Sequence, residues 1–232
     1  MKRLIVITMV VLLSAPTVLA QNFCQGDFNY NGNVAAEDVE LFLEHFGRSP
    51  FNNPCPSDGP APVHKTGQTT SYYEGDDGGH EKGVEWPNPR FTDNENGTVT
   101  DNLTGLIWLK DANCFGNLTW EIAITDCNGL GNGQCGLTDG SSGGQWRLPS
   151  LFELESLRDM KYWEPALSNR AGTGQWTHGD PFTNLLTLGS YWSSTTLAYN
   201  SDLAWHVTMY NGLVVNDHKS NILYVWPVRG GH

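Results

Sequence analysis

Two Asn-Gly dipeptides, each set between short runs rich in β-branched and aromatic residues, constrain this chain more than any other feature. Asn-Gly accepts the positive φ angles of the tight turns that join antiparallel strands, so each one marks a chain reversal. Asn96-Gly97 sits between Arg90-Phe91-Thr92-Asp93 and Thr98-Val99-Thr100-Asp101. Asn211-Gly212 sits between Trp205–Tyr210 and Leu213-Val214-Val215. Leu106-Ile107-Trp108-Leu109 reads as a buried strand, and Leu223 to Val228 as a last one. Two helices are predicted between these β regions. Thr119 caps the first, which carries Trp120, Ala123, Ile124 and Cys127 on one side and ends near Gly129. The second follows Pro149, where Ser150 and Glu153 form a capping box and Leu151, Leu154 and Leu157 face inward. Two helices with several antiparallel strands make an α+β domain.

Residues 1–20 read as a secretory signal removed after Ala20. Lys2 and Arg3 begin it, an apolar run spans Leu4 to Leu13, and Val18-Leu19-Ala20 supplies small residues at the cleavage positions. No later stretch approaches the ~20 apolar residues needed to span a bilayer, which excludes a multi-spanning membrane protein. The chain carries 13 Lys+Arg against 25 Asp+Glu, a net charge of −12, and loss of Lys2 and Arg3 takes it to −14. So acidic a chain repels phosphate backbones, and no basic face offsets this, so nucleic acid is excluded as a partner. Aromatic residues make up 11% and charged residues only 16%, which is enough apolar surface for one domain core and argues against disorder.

All five cysteines lie beyond residue 20, where oxidation is expected. Cys24 and Cys55 bracket a compact segment, residues 21–55, and are expected to pair. Cys114, Cys127 and Cys135 permit more than one pairing. The reading adopted joins Cys114 to Cys135 and leaves Cys127, at i+7 from Trp120 on the first helix, as a buried thiol. Pro-Cys-Pro-Ser-Asp-Gly-Pro-Ala-Pro, between Pro54 and Pro62, places a stiff spacer at residues 56–63 and the large domain at 64–232. Lys65 to Glu85, with Glu74, Asp76, Asp77 and Glu81, reads as a solvated loop.

Within the N-terminal segment, Asp27-Phe28-Asn29-Tyr30-Asn31-Gly32-Asn33-Val34-Ala35-Ala36-Glu37-Asp38 has the spacing of an EF-hand-like loop. Asp27, Asn29, Asn31 and Asp38 place side-chain oxygens at loop positions that converge on one point, Asn33 offers its backbone carbonyl, and Gly32 makes the tight turn. A hard cation needs such convergent oxygens, so Ca²⁺ is the expected cofactor. The stretch resembles one repeat of a dockerin-type calcium module. Dockerins pair two repeats and only one is present, so their cohesin partner does not carry over. With Asp27 and Asp38 the only charged ligands, affinity falls at the weak extracellular end, on the order of 10⁻⁴–10⁻³ M.

The large domain has four distinctive stretches in order. They are Asn88–Asn94 continuing through Asn96–Trp108, Trp146-Arg147-Leu148-Pro149, Tyr191–Thr196, and Val228-Arg229-Gly230-Gly231. Together they resemble the C-terminal domain family of the Lcl collagen-like adhesins, over residues 64–232. The resemblance implies a C-type-lectin-like fold, with a strand-paired base, two helices and a loop-rich face for ligands. It also implies adhesion to host glycans, sulfated glycosaminoglycans among them. Formylglycine-generating oxidases share that fold and a similar Arg-Leu-Pro, but they need reactive cysteines late in the domain, and here none follows Cys135.

Other chemistry finds no support. His-Glu-x-x-His, Gly-x-Ser-x-Gly and phosphate-loop patterns are absent from the sequence. His178-Gly179-Asp180 reads as a solvated loop, and Glu153 and Glu155, two apart on a helix, point in different directions. The triplets with which calcium-dependent lectins hold sugar hydroxyls are missing too. No enzyme is expected.

The densest aromatic and amide region is 191–226. Alternation along Trp205–Tyr210 turns Trp205, Val207 and Met209 inward and His206, Thr208 and Tyr210 outward, while Trp192 and Trp226 read as core. Tyr199, Asn200, His206, Tyr210, Asn211 and His218 are the candidate ligand-binding residues, because aromatic faces stack on sugar CH surfaces and amides and imidazoles give directional hydrogen bonds. Only Lys219 and Arg229 are basic from residue 171 onward, which favours a neutral glycan or a protein surface over a sulfated polyanion. The expected function is a secreted recognition or adhesion module that binds a glycan or cell-surface protein. The alternative is a structural component docked into an extracellular complex through the calcium module.

Overall fold

The computed structural model describes residues 63–230. The secretory signal, the calcium loop and the Cys24–Cys55 pair lie outside the described residues.

Short antiparallel strands dominate, as the Asn-Gly turns require. β1 (Phe91–Asp93) and β2 (Thr98–Asp101) form the first hairpin, with Phe91 opposite Asp101 and Asp93 opposite Val99. Gly97 closes it at φ 84°, and a side chain there would strike the carbonyl of Gly136. β3 (Ile107–Leu109) pairs with β2, and β9 (Val228–Arg229) pairs with β3. The first sheet therefore has the order β1-β2-β3-β9, with the last strand beside an early one.

The second sheet has the order β4-β8-β5-β6-β7. It comprises β4 (Asn117–Leu118), β5 (Ser190–Thr196), β6 (Leu203–Thr208), β7 (Leu213–His218) and β8 (Leu223–Tyr224). β5 and β8 run parallel and the other pairs antiparallel. The run from Leu223 to Val228, expected as one strand, is two. Residues 223–224 belong to the second sheet and 228–229 to the first, and the backbone between them passes from one sheet to the other. Trp226 lies in that crossing, where its Nε1 donates to the Leu109 carbonyl at 2.8 Å.

Among the described residues there are three helices, α1 (Asp77–His80), α2 (Trp120–Gly129) and α3 (Leu151–Ser156). Asp76 caps the four-residue α1 inside the segment expected to be an open loop, accepting from the N–H of Gly79. α2 buries Ala123 and Cys127, as its spacing predicts, but the side chain of its N-cap, Thr119, makes no capping bond. In α3 the predicted capping box is complete. Ser150 Oγ accepts from the Glu153 N–H, and Glu153 Oε2 accepts from the Ser150 N–H.

The main core lies between the sheets, where Trp226 touches Phe182, Trp108 and Tyr191 with ring centroids 4.8, 5.4 and 5.5 Å away. A second cluster joins α2 to the other face of the second sheet through Ala123, Cys127, Trp192, Ala204 and Val225. β6 is thus covered on both faces. Val207 and Met209 turn to the main core as expected, and Ala204 and His206 turn the other way, also into packed surroundings.

One buried ion pair ties the first hairpin to α3. Arg90 donates through Nε and Nη2 to the two Asp101 oxygens at 2.9 and 3.0 Å, and through Nη2 to the Ser156 carbonyl at 2.8 Å. Both side chains are fully enclosed. Cys114 and Cys135 are disulfide-bonded and Cys127 is a buried free thiol, as read from the sequence.

Candidate functional site

The six residues expected to bind ligand do not form one patch. β6 and β7 run antiparallel, with Leu203 opposite His218 and Thr208 opposite Leu213. Tyr199, Asn200 and His218 therefore gather at one end of this strand pair, and Tyr210 and Asn211 at the other. At about 3.3 Å per residue the two ends lie ~17 Å apart. His206, expected to face outward, is only 7% exposed. Its ring stands edge-on to Trp192, its partner across β5 and β6, with centroids 5.9 Å apart. Burial pushes its pKa down against the attraction of Asp217, and its Nδ1 has no hydrogen-bond partner.

At the first end a polar cavity of about 440 Å³ opens among Thr119, Glu121, Ser201, Asp202, His218, Lys219 and Ser220. Three connections build it: the β5–β6 turn, the β7–β8 turn and the start of α2. The Lys219 N–H donates to the Asp202 carbonyl and the Trp120 N–H to the Lys219 carbonyl, which locks the three together. The Thr119 hydroxyl is not used for capping and stays available to the cavity. His218 Nδ1 accepts from the Ser220 N–H at 3.2 Å, so in the neutral ring Nε2 carries the proton and is the donor. The Lys219 ammonium donates to Thr196 Oγ1 at 2.9 Å and lies 3.9 Å from the Trp120 ring centre, so it is already engaged. Tyr199, on the β5–β6 turn, is 82% exposed. Asn200 is also exposed, and its side-chain oxygen accepts from the Asp202 N–H, which holds the turn and leaves only its amide nitrogen free.

The opposite end is more apolar. The Tyr210 ring meets Trp163 edge-on at 5.7 Å, and Trp163 and Leu213 are both largely exposed. Asn211 again uses its side-chain oxygen on its own turn, accepting from the Leu213 N–H. Arg158 links this end to α3, donating to the Gly212 carbonyl at 2.5 Å and to Glu155 at 2.7 Å. Beside it a cleft of about 520 Å³ is walled by Trp86, Phe152, Met160 and Val63.

Glu153 and Glu155 do point apart. Glu153 binds Arg147 at 2.5 and 2.7 Å, and Glu155 binds Arg158. His178 is exposed, and Asp180 pairs with Arg170 at 3.7 Å. Among the described residues no three His, Cys, Asp or Glu side chains are grouped to hold a metal ion.

The Lcl C-terminal domain matches residues 97–229, which takes in both sheets from β2 to β9 and both longer helices. The chain belongs to this family. Curated proteins give no match. The family stretch contains both strand ends and all six candidate residues, and its last matched residue, Arg229, pairs with Asp139 at 3.1 Å. Among the described residues of this Lcl C-terminal domain, no helix is long and apolar enough to cross a membrane.

Sequence reasoning missed Thr119, Glu121, Asp202 and Ser220, which reach the cavity from separate turns and carry no common period. It also missed Trp163 and Phe152. For Phe152 a signal exists: it is a large apolar residue off the inward stripe of Leu151, Leu154 and Leu157, and it is 81% exposed.

Proposed function

We propose that this Lcl C-terminal domain is a non-enzymatic recognition module of a secreted chain, C-type-lectin-like in architecture, that binds a neutral glycan at the strand end carrying Tyr199, Asn200 and His218. One observation carries the reading: a polar cavity adjoins a turn whose aromatic ring is almost wholly exposed. Sugars present hydroxyls that need donors and acceptors at fixed positions, and CH faces that pack on aromatic rings. His218 Nε2, the Thr119 and Ser201 hydroxyls and the Glu121 and Asp202 carboxylates meet the first need, and Tyr199 the second; the Ser220 hydroxyl is already engaged with His218 Nδ1 at 2.7 Å. Electrostatics selects against a sulfated chain, since the cavity's one cation, Lys219, is engaged and the protein carries −12 overall.

A cell-surface protein is the second reading, supported by the exposed Trp163, Leu213 and Phe152 at the opposite end. Ca²⁺ at Asp27, Asn29, Asn31, Asn33 and Asp38 belongs to the N-terminal segment and acts there as a folding ligand. A glycan array probed with the full chain, in calcium and in chelator, tests the proposal. The expected result is binding to neutral glycans that chelator leaves unchanged at this end. Binding confined to sulfated glycans, or none in either buffer, would overturn it.

A further inference from the structure

A smaller cavity of about 290 Å³ lies where the segment 65–69 crosses the loop after α3, sharing Lys65 and Trp86 with the larger cleft. Its floor is the carboxylate of Asp159, which is 2% exposed. That carboxylate is poorly satisfied. Among the described residues its single side-chain hydrogen bond comes from the Lys161 N–H to Oδ1 at 3.0 Å, which leaves Oδ2 with none. The buried Arg90 guanidinium attracts it but makes no hydrogen bond to it, its Nε and Nη2 donating to Asp101 and the Ser156 carbonyl and its Nη1 having no partner among the described residues. Gly67 lies directly against the carboxylate, with φ 90° and room for no side chain, so the backbone itself closes one side. The indole of Trp86 forms an apolar wall, oriented by its Nε1 bond to the Lys65 carbonyl at 3.0 Å and by the Arg90 guanidinium 4.4 Å from its ring centre. At the rim, Glu81 and Glu85 both hold the Lys65 ammonium.

Lys65 and Lys161 also line the cavity, but Lys65 is held by the two rim glutamates, and the enclosed carboxylate with a free oxygen beside an aromatic wall suits a cation. We propose that this cavity binds a ligand's primary ammonium group, with Asp159 as its counter-ion and Trp86 packed on the stem that carries it. A primary ammonium supplies the hydrogen-bond donor that Oδ2 lacks, and the cavity volume suits one side-chain-sized group. Burial raises the Asp159 pKa against the Lys161 N–H, Arg90 and Lys161, the mark of a carboxylate short of compensating charge. Two sources present this chemistry, a lysine side chain of a partner protein and an amino sugar.

The test titrates the full chain, by ¹H–¹⁵N NMR, with Nα-acetyl-lysine amide and with glucosamine, each against its neutral analogue, Nα-acetyl-norleucine amide or glucose. Saturable shifts at Gly67, Trp86 and Lys161 with an ammonium probe and not with its analogue are expected, and the tighter probe identifies the source. Asp159→Asn should weaken that binding about tenfold or more. Thr69→Trp, on the exposed rim, should block it without touching the carboxylate. Equal binding of a neutral analogue, no saturable shift with either ammonium probe, or full affinity in both variants would overturn the proposal.

Discussion

His206 shows why a strand's alternation does not by itself locate solvent. It faces away from Val207 and Met209, as period-two geometry demands, yet that face is covered by the cluster beneath α2. Its pKa lies below the unfolded value of about 6.5, so the neutral ring's contribution to stability is complete above that pH and is lost as pH falls through the folded pKa. His64 is shifted the same way, so the His206 part is a difference measurement. Thermal unfolding from about pH 8 to pH 5 should show a falling Tm in the native chain and a flatter profile in His206→Phe. Cys127 behaves differently. Burial pushes its thiol far up, so iodoacetamide at about pH 8 should leave it unmodified until the chain is unfolded. Mass spectrometry of the alkylated chain checks this, and rapid modification of the folded protein would contradict it.

Elements defined by local chemistry were legible. The Ser150–Glu153 box, the Asn96-Gly97 hairpin and the inward stripe of α2 depend on residues a few positions apart, and all three are present. The Leu223–Val228 run reads as one strand because its apolar residues carry no period, although Pro227, which has no N–H for a ladder, marks the place where the chain leaves one sheet for the other. The candidate site was half legible. Residue type singled out Tyr199 and His218 as candidates, but their separation from Tyr210 and Asn211 depends on the register of β6 against β7. α3 offers the element-scale prediction. Burial alone would raise the Glu153 pKa, but bonds from Arg147 and from the Ser150 N–H overcome it and hold the carboxyl below its usual value. Its contribution is therefore present above the unfolded pKa of about 4.3 and lost as pH falls through the folded value. Ser150→Ala should cost about 1 kcal/mol in a urea titration, with the m-value unchanged.

At the scale of the whole molecule, two enclosed groups hold distant parts of the chain together. Trp226 connects the sheets, and the Arg90–Asp101 pair connects the hairpin to α3. Removing one partner of a buried ion pair leaves an uncompensated charge, so Asp101→Ala should lose about 3–5 kcal/mol. Trp226→Ala should lose a similar ~3–5 kcal/mol by leaving a cavity among Trp108, Phe182 and Tyr191. That framework carries two exposed ends with different chemistry, and the central claim is that the polar one recognises the glycan. The most direct test compares two double variants on the same glycan surface, Tyr199→Ala/His218→Ala at the polar end and Tyr210→Ala/Asn211→Ala at the apolar end. The first pair should abolish binding and the second leave it within about twofold, with both variants folded. Loss of binding in the second pair with retention in the first would contradict it.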